Sequence, residues 1–359
     1  PDTELTVYSL TDNTYIRQVA ALFQKKYPDI YLNLEIGITD EEAVTSTDAL
    51  KNLNTEIMAG NGPDVLVMDG IPSDTYVEKG MLKDISGILD KIEEEDGILD
   101  NIRESYVQED GSQYVMPVRF GIPMLQGQGE DVTAVTDLAS MADTLEKYQS
   151  EYSEMHMPMS LLVGGADTFI RQFADVNAPA WLKEDGTLDE AAVTEYLEQA
   201  NRIYQTGKTG IDALKAQGFA VYSIGESNMI SDISASAISV LGGYYKLSVG
   251  RLLSPHGLAL LYSAEQAEPN LTHSLWNGQA QNCFIPEQTV GISAKAAEPE
   301  AAEKLVEFLF SKEGQETGAS EGFPVNEAVY ESEEYWAVGD ENGNLGTLGS
   351  GNVETGEYI

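Results

Sequence analysis

Residues that could contact a ligand stand where predicted strands end. Leu5 to Tyr8 is an apolar run of strand length, and Val65 to Met68 is another. Ligands of open α/β sheets bind beyond the carboxyl ends of the strands. Aromatic rings pack on sugar faces, and polar side chains bond the hydroxyl groups. The predicted ligand-binding residues are Tyr8, Ser9, Met68, Asp69, Arg119, Phe120, Tyr244 and Trp276.

Each of these residues also has a structural interpretation. The four aromatic side chains could simply pack in the core. Arg119 is a candidate because basic residues are scarce in this chain, and both Arg119 and Asp69 lie at the predicted edge of a structural lobe. Either residue could instead form a surface ion pair.

Motifs for catalysis are incomplete in this sequence. Residues 318–322 read Gly-Ala-Ser-Glu-Gly, but a predicted helix precedes them, Phe323-Pro324 follows, and all three histidines lie upstream. A nucleophile elbow needs a strand before it, a helix after it and a later histidine. With 60 acidic residues, two carboxylates at glycosidase spacing could still meet. A glycoside-active hydrolase therefore stays an alternative.

Metal and cofactor motifs are likewise incomplete. Residues 340–346 suggest a calcium loop, but the glycine is displaced and its twelfth position is Gly351 rather than glutamate. Gly127-Gln128-Gly129 lacks the third glycine of a dinucleotide fingerprint, and Cys283 is the only cysteine. We expect no cofactor and no metal site.

Length and charge restrict the class of protein. At 359 residues the chain exceeds what one hydrophobic core fills, so two lobes are expected. Its net charge of −40 would repel a phosphate backbone, which excludes nucleic acid as a partner. No stretch approaches the roughly 20 apolar residues of a membrane span.

The order of predicted elements indicates the fold class. Strands near residues 5–8, 30–36 and 65–68 alternate with helices that begin near residue 14 and span 46–59. This β-α-β-α-β order predicts an α/β fold with a parallel, doubly wound sheet. In the middle of the chain, Asp189 should cap a long helix, and Gly164-Gly165 should form a turn.

Several segments resemble one family. They are Phe23 to Ile30, Gly62-Pro63-Asp64 before the apolar strand, Lys79 to Ile85, Gly111 to Val118, Phe284-Ile285-Pro286, residues 290–315 and Gly322 to Asn326. Their order and spacing are similar to those of extracellular solute-binding proteins, family 1, of ABC importers, which include maltose- and oligosaccharide-binding proteins. Ala237 to Tyr245 also resembles a family segment in which an apolar strand ends in glycine and a sugar-stacking aromatic, here Tyr244.

The resemblance implies a two-lobed, periplasmic-binding-protein-like fold with a hinge and an interlobe cleft. Lobe 1 would comprise residues 1–119 and 286–320, and lobe 2 residues 120–285 and 321–359, where C-terminal helices of the family could be missing. The protein would capture a solute, expected to be an oligosaccharide, and deliver it to the permease. It would be a monomer at the extracellular face of the membrane, anchored by a lipid on a removed N-terminal segment. A surface lipoprotein that binds a protein partner is the other alternative.

Overall fold

The computed structural model describes most of the chain. The described residues are 2–39, 44–149, 157–159, 166–218, 232–318, 320–339, 351–352 and 357–358. They form two compact units: unit 1 comprises Pro1–Phe120 and Pro286–Ala337, and unit 2 comprises Gly121–Ile285 and Val338–Ile359. The chain thus passes between units after Phe120, Ile285 and Ala337, whereas the sequence predicted the third passage near residue 320. The division into functional lobes stays a prediction.

The secondary structure alternates strands and helices. The strands are β1 (Thr3–Ser9), β2 (Ile30–Ile36), β3 (Val65–Val67), β4 (Met116–Gln128), β5 (Met157–Met159), β6 (Tyr245–Leu252), β7 (Leu271–Leu275), β8 (Ile285–Ile292), β9 (Phe323–Pro324), β10 (Gly351–Asn352) and β11 (Glu357–Tyr358). The helices are α1 (Thr14–Lys26), α2 (Ser46–Met58), α3 (Ser73–Glu78), α4 (Ser86–Glu95), α5 (Asp100–Glu104), α6 (Gly129–Ala134), α7 (Leu138–Glu146), α8 (Ala166–Phe173), α9 (Glu190–Ala216), α10 (Ala237–Leu241), α11 (Pro255–Ala267), α12 (Pro299–Phe310), α13 (Lys312–Gln315), α14 (Glu327–Tyr330) and α15 (Glu333–Trp336).

The sheet of unit 1 is mixed. β1 pairs in parallel with β2 and β3, and β3 pairs antiparallel with β8. The first part of β4 pairs with β9, with Arg119 opposite Pro324 and Phe120 opposite Phe323. The α/β class predicted from the sequence is confirmed. The antiparallel pairs of this sheet are β3 with β8, which enters this unit from unit 2, and β4 with β9.

Both faces of this sheet are covered by helices. On one face Val7, Ile16 of α1 and Leu305 of α12 surround one small cavity, and all three side chains are buried. Asn13 caps α1 by accepting a hydrogen bond from the Ile16 amide at 2.9 Å, as expected for an N-cap asparagine. On the other face, Tyr8 and Leu66 belong to an apolar cluster with Leu53, Ile57, Met68 and Tyr76.

Unit 2 is built on an antiparallel core. The second part of β4 pairs antiparallel with both β6 and β7, and β5 joins β6 in parallel. α9 begins at the predicted cap, because the Asp189 carboxylate accepts a hydrogen bond from the Ala192 amide at 3.2 Å. Its buried Tyr196, Ala200 and Ile203 pack in the main apolar cluster of this unit.

One local prediction was wrong. The apolar run Ala237–Leu241, expected to be a strand, is helix α10, in which the Gly242 amide bonds the Ile238 carbonyl at 2.9 Å. The reason is that a short apolar run has no periodicity that separates a buried strand from a buried helix. The predicted turn at Gly164-Gly165 lies outside the described residues. In the described ranges no helix is both long and apolar enough to cross a membrane.

Candidate functional site

The carboxyl ends of β1 and β3 lie side by side in unit 1. Ser9 pairs with Val67, so Ser9 and Met68 are near neighbours. The Ser9 hydroxyl donates a hydrogen bond to the Thr11 carbonyl at 2.7 Å, and the Met68 amide donates to the Thr289 carbonyl at 2.6 Å. Both side chains are buried. This end of the sheet, from Ser9 and Met68 toward β8, is called the carboxyl edge below.

Asp69 fixes the carboxyl edge to β8. Its carboxylate accepts hydrogen bonds from the Gln288 amide at 3.0 Å and the Thr289 amide at 2.8 Å. Bonds from backbone amides to a carboxylate are stronger than neutral ones. Burial, and secondarily the charge of Asp69, raises the pKa of the Tyr106 hydroxyl to about 12. Asp69 therefore holds two distant segments together and places a negative charge at the edge.

Gln288 is a residue that the sequence did not single out. Its φ is +49°, in the left-handed region that residues with a Cβ seldom adopt. The side chain is only 7% exposed, yet its Oε1 atom has no hydrogen-bond partner among the described residues. Strained backbone of this kind is concentrated at functional sites. No sequence signal marks it, since glutamine has no preference for this conformation.

The edge continues from β8 to the end of the first part of β4. Gly322, with φ +124°, lies close to both β4 and β8. A Cβ added to it would lie 2.9 Å from the Arg119 Cβ and 3.4 Å from the Glu287 Cγ. Glu287 immediately precedes Gln288, whose amide bonds Asp69. Contacts therefore lead from Asp69 through Gln288 and Glu287 to Gly322 and Arg119. The edge thus joins the two groups of predicted residues, 9 with 68–69 and 119–120.

The Arg119 side chain is fully buried within unit 1. Its guanidinium donates to the carbonyl oxygens of Gly322, at 2.8 Å, and of Gln315 and Thr317. It also lies over the Tyr15 ring, 5.2 Å from the centroid. These contacts connect β4 to the segment after α13. They give Arg119 a structural function, and its predicted ligand contact stays a prediction.

An aromatic cluster extends the edge beyond Phe120. The Phe120 ring lies 5.7 Å from Phe323 and 6.3 Å from Tyr330. Trp336 stacks on Phe323 at 5.8 Å, and its indole N–H donates to the Tyr330 carbonyl at 2.6 Å. Phe120 is buried, whereas Trp336 is 37% exposed. Trp336 was missed because the sequence pattern after residue 326 departs from the family, so no motif drew attention to it.

Tyr8 directly precedes Ser9 on β1 and packs in the same apolar cluster as Met68. Its ring packs in the apolar cluster beneath α2, and a Cβ on Gly37 would lie 2.0 Å from its hydroxyl oxygen. Burial is the main cause that raises the pKa of this hydroxyl to about 12. A ligand contact of Tyr8 stays a prediction.

In unit 2, a buried ion pair lies near one end of β6. The Arg251 guanidinium is 3.2 Å from the Asp175 carboxylate, and Arg251 is 7% exposed. Burial raises the pKa of Asp175 despite the opposing attraction of Arg251. Burial likewise raises the pKa of Asp232, which bridges to Arg251 through its backbone. The pair of Asp175 and Arg251 was not predicted from the sequence, because its members are 76 residues apart.

The two predicted residues of unit 2 have different environments. Trp276 is 2% exposed and meets Phe173 edge-on at 5.1 Å, within the apolar cluster. Tyr244 is half-buried, and its amide donates to the Ser239 carbonyl at 2.8 Å after α10. A ligand contact of either ring stays a prediction.

Trp181 is a further aromatic candidate in unit 2. It is half-buried, its indole N–H donates to the Gln279 side chain at 2.9 Å, and its ring lies 4.8 Å from Tyr196. The Asn177 side chain accepts a hydrogen bond from the Gln279 amide at 2.8 Å, which ties the Trp181 segment to the segment after Trp276.

Among the described residues, no cluster of three or more histidine, cysteine or acidic side chains could hold a metal ion.

Comparison with known proteins gives a consistent result. The model of the family of bacterial extracellular solute-binding proteins matches residues 18–340. No curated protein matches the sequence. Among solved structures, an ABC substrate-binding protein of Listeria monocytogenes in complex with cycloalternan is 17% identical, with 94% of this chain and 82% of that chain covered and a TM-score of 0.53.

Two further structures have the same fold. The binding protein MsmE of Bacillus subtilis, in an open conformation, is 14% identical, with 90% of this chain and 80% of that chain covered and a TM-score of 0.57. The GacH receptor of Streptomyces glaucescens, solved unliganded and with acarbose, is 16% identical, with 93% and 83% covered and a TM-score of 0.53. At these identities the likeness shows the fold, and it confirms the predicted periplasmic-binding-protein-like class.

Proposed function

We propose that this chain, which belongs to the family of bacterial extracellular solute-binding proteins, captures an oligosaccharide and delivers it to the permease of an ABC importer. The match of the family over residues 18–340 is the observation that carries this proposal. Structural relatives were solved with cycloalternan and with acarbose, which supports a carbohydrate as the solute.

The carboxyl edge of unit 1 offers the chemistry that a sugar requires. Trp336 presents a partly exposed aromatic ring, and the Gln288 Oε1 can accept a hydrogen bond from a sugar hydroxyl. Asp69 lies beside Gln288 as a charged acceptor. Apolar contact with one ring face, together with a few placed polar groups, is typical of carbohydrate sites. We therefore propose Trp336 and Gln288 as contacts, in addition to the predicted Ser9, Met68, Asp69, Arg119 and Phe120.

In unit 2, the proposed contacts are aromatic and ionic. Trp181 and the predicted Tyr244 are half-buried, so each keeps ring surface that a ligand could cover. The Asp175 and Arg251 pair provides fixed hydrogen-bonding groups in the same unit. Trp276 stays a proposed contact as well, although its ring is packed in the core.

We further propose that the protein binds its solute without chemical conversion, acts as a monomer and is held at the outer face of the membrane by a lipid. The family is one of solute-binding proteins rather than enzymes, which supports the first statement. The permease subunits would be its protein partners, and it would need no cofactor.

A thermal-shift screen tests the carbohydrate assignment. A ligand that binds only the folded protein raises the unfolding temperature, by an amount that grows with ligand concentration. We expect at least one of a panel of di- and oligosaccharides to do so, and amino acids, short peptides and polyamines to have no effect. If only the non-sugar compounds shifted the transition, the carbohydrate assignment would be wrong while solute binding would stand.

Substitution of Trp336 tests the proposed contact. Trp336→Ala should weaken binding of the active sugar by about 1–3 kcal/mol, as expected for loss of an aromatic anchor. Tyr31→Ala is the matched control, since Tyr31 is an exposed aromatic residue of the same unit on β2. Titration calorimetry of both variants should show a loss for the first alone. Equal affinities would remove Trp336 from the site.

A further inference from the structure

A groove in unit 1 lies away from the carboxyl edge. It has a volume of about 570 Å³, within the range of small-molecule sites, and lies between α2, α3 and the segment after β8. Because β8 runs antiparallel to β3, Ile292 lies opposite Val65, at the start of β3. Ser293 therefore lies five residues, or about 17 Å, along β8 from Gln288. This groove is called the distal groove.

The floor of the distal groove is apolar. Ile57 and Tyr76 are buried beneath it, and Met81 forms part of its wall. The Ala294 amide donates to the Met81 carbonyl at 2.9 Å, so the two sides of this wall are fixed to one another. Met58, at the mouth, is 82% exposed, which is unusual for a large apolar side chain.

Two lysines are the charged side chains that line the groove. Lys79 and Lys295 line it, and within the described ranges neither ammonium group has a salt-bridge partner within 4.0 Å. Asn54 also lines the groove, and its side-chain oxygen accepts a hydrogen bond from the Tyr76 hydroxyl. Among the described residues no aspartate or glutamate lines the groove, although acidic residues outnumber basic ones by 60 to 20 in the chain.

We propose that the distal groove binds a small amphipathic anion, namely an apolar body with a carboxylate headgroup. The apolar floor would cover the body, and the two ammonium groups with the Asn54 amide would hold the headgroup. A free molecule is favoured over a membrane surface because the site is concave. The site is distinct from the proposed carbohydrate contacts.

Decanoate is a suitable probe below its micelle concentration. Titration calorimetry should show saturable binding of one decanoate per chain, and little binding of decyltrimethylammonium, which has the same tail and the opposite charge. Absence of decanoate binding, or equal binding of the cation, would overturn the proposal. Binding only to anionic vesicles, with none to decanoate, would identify a membrane contact and would also overturn it.

Two pairs of variants test the role of charge. The double variant Lys79→Gln with Lys295→Gln should weaken decanoate binding at least about tenfold, because two charged hydrogen bonds are lost. The control double variant Lys25→Gln with Lys183→Gln changes the net charge equally at exposed positions elsewhere and should bind as the parent does. If both double variants lost the same decanoate affinity, the effect would come from overall charge, and the proposal would be refuted.

The exposed methionine allows a test that leaves the core intact. Met58→Glu should reduce decanoate affinity by charge repulsion, while Met58→Gln should retain most of it. The unfolding temperature of both variants should match that of the parent, because the Met58 side chain is 82% exposed. If the two variants bind decanoate equally well, the ligand does not reach the mouth of the groove and the proposal fails. The sugar response of both variants should be unchanged.

Discussion

Replacement of Arg119 by methionine should destabilise unit 1, because three hydrogen bonds to backbone carbonyl groups are lost. Methionine keeps most of the apolar stem but removes the guanidinium, which donates to three carbonyl oxygens, those of Gln315, Thr317 and Gly322. Each carbonyl that loses its donor costs about 1 kcal/mol, and the lost contact with the Tyr15 ring adds about 0.5–1 kcal/mol. The expected destabilisation is therefore about 3–4 kcal/mol.

The assay is denaturant unfolding followed together with hydrogen exchange. The exchange of the amides at residues 315–326 should rise most, because this segment loses its attachment to β4. Arg17→Met is the control: its ion pair with Asp12 is 2.7 Å long but more than half exposed on both sides, so the change should stay below about 0.5 kcal/mol.

The result also separates two roles of Arg119. If Arg119→Met kept the stability of the parent within about 0.5 kcal/mol and abolished sugar binding, the structural reasoning would be refuted. Arg119 would then be the ligand contact that the sequence predicted. If the variant were destabilised but kept its affinity for the sugar, Arg119 would have a structural role only.

Two further predictions concern carboxylates. Asp69→Ala leaves the Gln288 and Thr289 amides without their acceptor and should lower stability by about 2 kcal/mol in thermal unfolding. Asp74 is exposed, so the control variant Asp74→Ala should have little effect. Equal stability of the two variants would show that the two bonds do not stabilise the edge. The raised pKa of Asp175 means that the folded state binds the proton more tightly than the unfolded state, so stability falls as pH rises above about 4, and Asp175→Asn should remove this part of the pH dependence in thermal unfolding. An unchanged pH profile in that variant would contradict the assignment.

Local elements of unit 1 could be predicted from the sequence because their signals are local. The helix expected at residues 46–59 is Ser46–Met58, and Gly60 has the left-handed φ of +80° expected after its end. The strand expected at 65–68 is Val65–Val67. Apolar periodicity and a glycine at the helix end depend on residues close in sequence, so they can be recognised without knowledge of the tertiary structure.

The contacts of the site could not be predicted in the same way. Asp69 bonds amides more than 200 residues away, and one of them belongs to Gln288, whose φ is left-handed. Arg119 was expected at a ligand because cations are scarce, but the sequence does not show that three carbonyls enclose it. Trp336 becomes a candidate only through its exposure and its stacking on Phe323. Such features depend on tertiary packing rather than on local pattern.

The most direct test of the central claim is calorimetric titration of the protein with the sugar that gives the largest thermal shift. We expect saturable binding of one sugar per chain, with the sugar recovered chemically unchanged after prolonged incubation. Sustained release of shorter saccharides would indicate a hydrolase, and a complete lack of binding across the carbohydrate panel would contradict the proposed function.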